Sequence, residues 1–211
     1  MVYYFICELF DPPLTIYLGE DKFVNEDLIR YGFPEDIWFH ADGVSSAHVY
    51  LRLPSGMGLD DIPHDVIMDC AQLTKANSIS GCKQDSVRIV YTPWANLHKT
   101  GDMEVGQVGF HRKSELRYIT IKKKNEIVKR LDKTRTQAKH NLKVLREERD
   151  EAERMETKRI QKEEREREKE LSKQRALEKD AKSYKSLMDP KKMETNKEVA
   201  TNYQDYEDSF M

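Results

Sequence analysis

Two aromatics, two histidines and an arginine stand at alternating positions in one short stretch of this chain. Trp38 and His40 lie in Asp36-Ile37-Trp38-Phe39-His40, and His48, Tyr50 and Arg52 lie in Ala47-His48-Val49-Tyr50-Leu51-Arg52-Leu53. Rings to stack on, beside an arginine for phosphate or base edge, are what a splayed nucleotide strand needs. The same alternation also suits a sheet whose second face is covered, and the aromatics are then core. Asp36, His40 and His48 carry a different chemistry, the donor set of a 2-His-1-carboxylate metal site, against which stands plain framework hydrogen bonding by strand histidines. No P-loop, dinucleotide glycine fingerprint, G-x-S-x-G elbow or H-E-x-x-H occurs. The expectation is a binder and not an enzyme, with no cofactor and no metal.

The elements that position these residues are two strands joined by a polar turn at Asp42-Gly43 and Ser45-Ser46. Alternation puts Ile37 and Phe39 on one face, with Val49, Leu51 and Leu53, and gathers Trp38, His40, His48, Tyr50 and Arg52 on the other. Around this pair the chain predicts strands over 2–7 and 14–19, then a short helix begun by Asn25 as N-cap and stopped at Gly32. A helix from about Asp60 to Asn77 buries Val66, Cys70 and Leu73. Strands follow over 87–91 and 116–121, with a short extended piece bracketed by Gly106 and Gly109. The fold class is α+β, a single domain over 1–121 with a sheet expected to be mixed.

From Lys122 to about Met188 there is neither Gly nor Pro, and strong helix formers dominate, which predicts one long charged helix. A heptad seam through Val128, Leu131, Arg135, Ala138, Leu142, Leu145, Arg149 and Ala152 allows a coiled coil over the first four heptads, against another chain or against the domain itself. Beyond it the helix relies on charge pairs such as Asp150/Arg154, Glu163/Arg167 and Glu178/Lys182. Residues 189–211, opened by Asp189-Pro190, are acidic and polar and are expected to be disordered.

Charge divides the chain. Residues 1–121 hold 10 Lys+Arg against 17 Asp+Glu, net −7, and residues 122–211 hold 26 against 21, net +5. The excess is concentrated between Lys122 and Arg146, with ten cations against Glu126 and Asp132. Lys122, Lys123, Lys124, Lys129, Arg130, Lys133 and Arg135 therefore join Lys22 and the sheet residues as candidate phosphate contacts; the alternative is a solvated helix face. Three cysteines without a C-x-x-C pair point to reduced thiols, hence a cytoplasmic or nuclear setting. No window approaches a membrane span, and the basic segment lacks the aromatic apolar face of an interfacial anchor.

Asp36-Ile37-Trp38-Phe39-His40-Ala41 and Ser45-Ser46-Ala47-His48-Val49 resemble the hallmark of the NFACT RNA-binding domain. The likeness continues through the helix with Ala71 and Ala76, through Val90-Tyr91-Thr92, and through Lys99 to Gly106. Tyr4-Phe5, Asn25-Glu26-Asp27-Leu28-Ile29, Ala76-Asn77-Ser78-Ile79 and Phe210-Met211 are similar to the coiled-coil domain-containing protein 25 family. The first resemblance implies RNA binding, of the kind seen in ribosome-quality-control proteins that hold tRNA on stalled large subunits, so a ribosome is an implied partner. The second implies DNA binding and a membrane location as alternatives, with Glu20-Asp21-Lys22-Phe23-Val24 in the place given to DNA contact. A third class of function is a scaffold that binds a protein partner through the long helix.

Overall fold

The structure, a computed structural model, describes residues 1–183. Strands β1 (Val2–Cys7), β2 (Leu14–Gly19), β3 (Asp36–Ala41), β4 (Val49–Arg52), β5 (Ser86–Pro93), β8 (Arg117–Lys122) and β9 (Thr136–Ala138) form one sheet. Its order is β8-β5-β3-β4-β2-β1-β9. Every neighbouring pair is antiparallel, so the sheet is not mixed as expected. Strands β6 (Leu97–His98) and β7 (Gly109–Phe110) make a small separate hairpin.

Both faces of the sheet are covered. Helix α2 (His64–Ala76) and helix α3 (Asn125–Asp132) lie on one face, over Phe5, Ile16, Phe39, Val49, Leu51 and Ile89. Pro63 directly precedes α2, where its missing N–H costs nothing. Helix α1 (Lys22–Tyr31) covers the other face through Leu28 and Val24, helped by Trp94, Leu97, Val108, Phe110, Leu116 and Leu142. Asp21, not Asn25, caps α1, accepting from the amides of Phe23 and Val24 at 2.8 Å each. Gly32 ends it where a side chain would not fit: a Cβ there would lie 2.2 Å from the Trp94 indole nitrogen.

The continuous helix expected from Lys122 is broken. Helix α3 stops at Asp132, the chain runs through Thr134, and β9 adds to the edge of β1 before helix α4 (Leu142–Lys182) begins. The physical reason lies on both sides of the break. Leu131 is buried in the main core, with Ile127 beside it, so the apolar seam is consumed by the domain. Thr134 and Thr136 are β-branched, and the unpaired β1 edge offers their backbone a ladder. The compact unit consequently extends to Asp150, past the expected boundary at Ile121.

Arg146 and Arg149 fix the start of α4 on this unit. Arg146 donates to the Gly32 carbonyl and lies over the Trp94 ring at 5.2 Å, and Arg149 pairs with Glu35. Glu151 opens a second unit, which is helical and exposed as far as Lys182. Its ion pairs include Arg159 with Glu163 and Lys162 with Glu166, four residues apart as that geometry requires. Among the described residues no helix is long and apolar enough to cross a membrane. The end of the long helix expected near Met188 and the tail from 189 to 211 lie outside the described residues.

Candidate nucleic-acid interface

The five residues expected on one sheet face do lie together, on β3, on β4 and just before it, but that face is not open. Trp38 is 2% exposed and Tyr50 fully buried, because α1, the 94–116 segment and Leu142 lie over them. Trp38 stacks on His40, meets Phe110 edge-on at 5.7 Å, and donates its indole N–H to His48 Nδ1 at 2.9 Å. Tyr50 stacks on Tyr17 at 5.1 Å. The expectation of Trp38, Tyr50 and His48 as an accessible stacking platform is therefore corrected: they are interior residues. Alternation fixed which residues share a face, but covering that face is a tertiary event.

Arg52 is committed as well. Its guanidinium bonds both Asp36 oxygens at 2.9 and 3.1 Å and lies 3.7 Å from the centre of the Phe33 ring. Asp36 is fully buried, and accepts also from Tyr17 and from the Phe33 amide. The metal trio of Asp36, His40 and His48 does not assemble, since Asp36 is held by Arg52 at the far end of β3 from His40. No group of three potential metal ligands occurs among the described residues.

Burial sets the state of the histidines. It pushes His48 down to about 3, with the neighbouring His40 adding to the shift, and lowers His40 as well. His48 Nδ1 must stay unprotonated to accept from Trp38, while the Gly106 carbonyl opposes the shift. Unfolded, both histidines take up a proton near pH 6.5, and the folded state refuses it. Stability should thus be full above that pH and fall as pH drops toward the folded value of His48 near 3, by about 1.4 kcal/mol per pH unit for His48, with His40 adding in the same direction. Denaturant midpoints between pH 7.5 and 5 check this. His48→Asn, which keeps an acceptor for Trp38, should flatten the profile, and an unchanged profile would contradict the assignment.

The accessible chemistry lies elsewhere, in a cleft and along a basic margin. The cleft, about 460 Å³, opens where the ends of β2 and β3, the start of α1 and the turn after α3 converge. Lys22, Asn25, His40, Ser46, Gly106 and Arg135 are among its walls. Arg135 lies over the Tyr3 ring at 4.1 Å. A second opening shares His40, His48 and Gly106 with the first and leads toward Trp38 and Phe110. The margin consists of Lys122, Lys123, Lys124, Lys129 and Lys133, all exposed, at the end of β8 and along α3. Among the described residues none of the five enters an ion pair.

Arg130 departs from this group. It pairs with Asp69 at 2.5 Å, and Asp69 is 1% exposed and accepts from the Cys7 thiol. Burial pushes that thiol up to about 11. Arg130 is therefore a clasp between α3 and α2, not a free phosphate contact. Nothing in the sequence pattern marks Asn25, Ser46 or Gly106 as binding residues; the pattern points to Asn25 as the cap of α1, whereas the cap is Asp21, four residues earlier in the same polar run.

Residues 1–112 match the family described as NFACT protein RNA binding domain. Coiled-coil domain-containing protein 25 of Danio rerio is 57% identical over 155 residues, 73% of this chain and 75% of that one. The Mus musculus protein of the same name is 56% identical over 158 residues, 74% and 76% of the two chains. Protein JLP2 of Saccharomyces cerevisiae is 42% identical over 137 residues, 63% and 66%. A solved structure of the C-terminal part of a fibronectin/fibrinogen-binding protein from Streptococcus suis shares the fold, with a TM-score of 0.50 at 18% identity, over 64% of this chain and 48% of that one. With its sheet domain and a long helix after it, the chain belongs to the coiled-coil domain-containing protein 25 family and carries an NFACT RNA-binding domain.

Proposed function

We propose that this protein binds single-stranded RNA without catalysis, through the cleft beside α1 and the lysine margin of β8 and α3. The observation that carries the reading is that margin: five exposed lysines that enter no ion pair among the described residues, on a domain of the RNA-binding family and otherwise net acidic. A polyanion is repelled by the bulk of the domain and attracted at this margin and at the Lys22 and Arg135 rim of the cleft. With about four cations engaged, log K against log salt should slope near −3 on a single strand. Titration of the full chain with a labelled single strand across salt tests this, and no binding near physiological salt would remove the reading.

DNA is the second reading, favoured by the same margin, since lysines reading phosphate do not distinguish the sugar. Parallel titration with a duplex DNA of equal length separates the two.

A further inference from the structure

We infer that the cleft beside α1 is an adenine-nucleotide subsite, in which the Asn25 carboxamide pairs with the base edge while Arg135 and Lys22 take phosphate. The inference rests on the RNA-binding reading for its strand source only; the cleft chemistry stands without it. Asn25 is 8% exposed and lines the cleft, yet its Oδ1 has no hydrogen-bond partner. Buried acceptors are rarely left so, because the desolvated oxygen then has nothing to replace water. The oxygen rests against Gly19, where a Cβ would come within 2.4 Å of it. The terminal torsion of asparagine is soft, so the amide can turn from that recess toward the cleft.

What an asparagine amide fits is known from its geometry. Its oxygen accepts from the N6 amine of adenine while its N–H donates to N7, two bonds in one plane. The cleft has room for a nucleotide, being about 460 Å³. Two apolar side chains line it with unusual exposure, Ile79 at 78% and Val105 at 47%, and they offer a base the walls it needs. At the rim, Arg135 is held against Tyr3 and Lys22 leans toward Phe23, and neither enters an ion pair among the described residues. Of the carboxylates that line the cleft, Glu20 is occupied by the terminal amine and Asp21 by the amides it caps, while Asp132 stands exposed at the rim beside Arg135.

The test compares a 12-nucleotide adenosine RNA with the same strand built from purine riboside, which lacks only the N6 amine, and adds AMP alone. The full chain should bind the adenosine strand roughly tenfold tighter. Asn25→Ala should remove that preference, bringing the adenosine strand level with the purine strand, whose own affinity falls less because it loses only the bond to N7. Gly19→Ala, whose Cβ would fill the recess where the Asn25 oxygen rests, should turn the amide toward the cleft and strengthen the preference independently. AMP bound in an Asn25-dependent way without any strand preference would support the adenine site with a free nucleotide as its source. Equal, tight binding of the two strands and no AMP binding would overturn the subsite while leaving RNA binding intact. AMP binding with neither strand bound would remove the RNA reading and keep the subsite.

Discussion

A chain ended after Ile121 is expected to lose its cooperative fold, and one ended after Asp150 to keep it. The segment from Lys122 to Ala138 supplies three things the first 121 residues cannot replace. Leu131 fills a fully buried site in the main core, and removing such a side chain costs about 2–5 kcal/mol. Arg130 is the charge partner of Asp69, which is 1% exposed, and breaking a buried pair from one side typically costs around 3–5 kcal/mol, less here because Arg130 is itself 41% exposed. Gln72, also buried, donates to the Lys122 carbonyl and accepts from the Lys124 amide, and truncation leaves both ends of its amide empty. These losses approach the whole stability of an ordinary domain, about 5–15 kcal/mol. Thermal unfolding followed by circular dichroism checks the expectation. A sharp transition in the 1–121 chain, within a few degrees of the 1–150 chain, would show that α3 and β9 are accessories.

Trp38→Ala is expected to cost roughly 3–5 kcal/mol of stability, as for a large aromatic cut from a packed core. The indole touches His40, His48 and Phe110, and its N–H satisfies the Nδ1 of a buried, neutral histidine. Its loss opens a cavity and strands that acceptor together. At temperatures where the variant remains folded, its affinity for single-stranded RNA should change little, because the ring is not available to stack on a base. Paired melts and titrations decide the matter. A variant with an unshifted melt and binding weakened by 1–3 kcal/mol would mean that the sheet face opens to admit nucleotides.

Local pattern carried far in this sequence and stopped at tertiary partners. Strands β1 and β2 occupy the expected residues, and the period of two placed Ile37, Phe39, Val49 and Leu51 on the core face, where they are. It could not say that α1 and the segment around Val108 and Phe110 would cover the second face, since nothing in β3 or β4 encodes its cover. The charge count found the basic segment correctly and misjudged its shape. Lys122 to Arg146 contains no glycine or proline, so composition favoured one helix, and only the open edge of β1 makes Thr136 to Ala138 a strand. The same oversight grouped Arg130 with the free lysines, because its partner Asp69 lies 61 residues away in sequence. The adenine subsite was still less legible: an unpaired Asn25 oxygen is visible only once Gly19 is set beside it.

The basic margin of β8 and α3 is tested most directly by two matched charge reversals in the full chain, read as salt dependence of single-stranded RNA binding. One converts Lys122, Lys123, Lys124, Lys129 and Lys133 to glutamate, leaving Arg130 to hold Asp69. The other converts Arg165, Arg167, Lys169, Lys173 and Arg175, on the exposed helix of the second unit. The unaltered chain should slope near −3, and the first variant should lose most of its affinity and flatten toward about −1.4, the share left to Arg135 and Lys22, while melting as before. The second should keep both slope and affinity. Equal losses from the two reversals would contradict a localised phosphate contact and leave only a general attraction between charges.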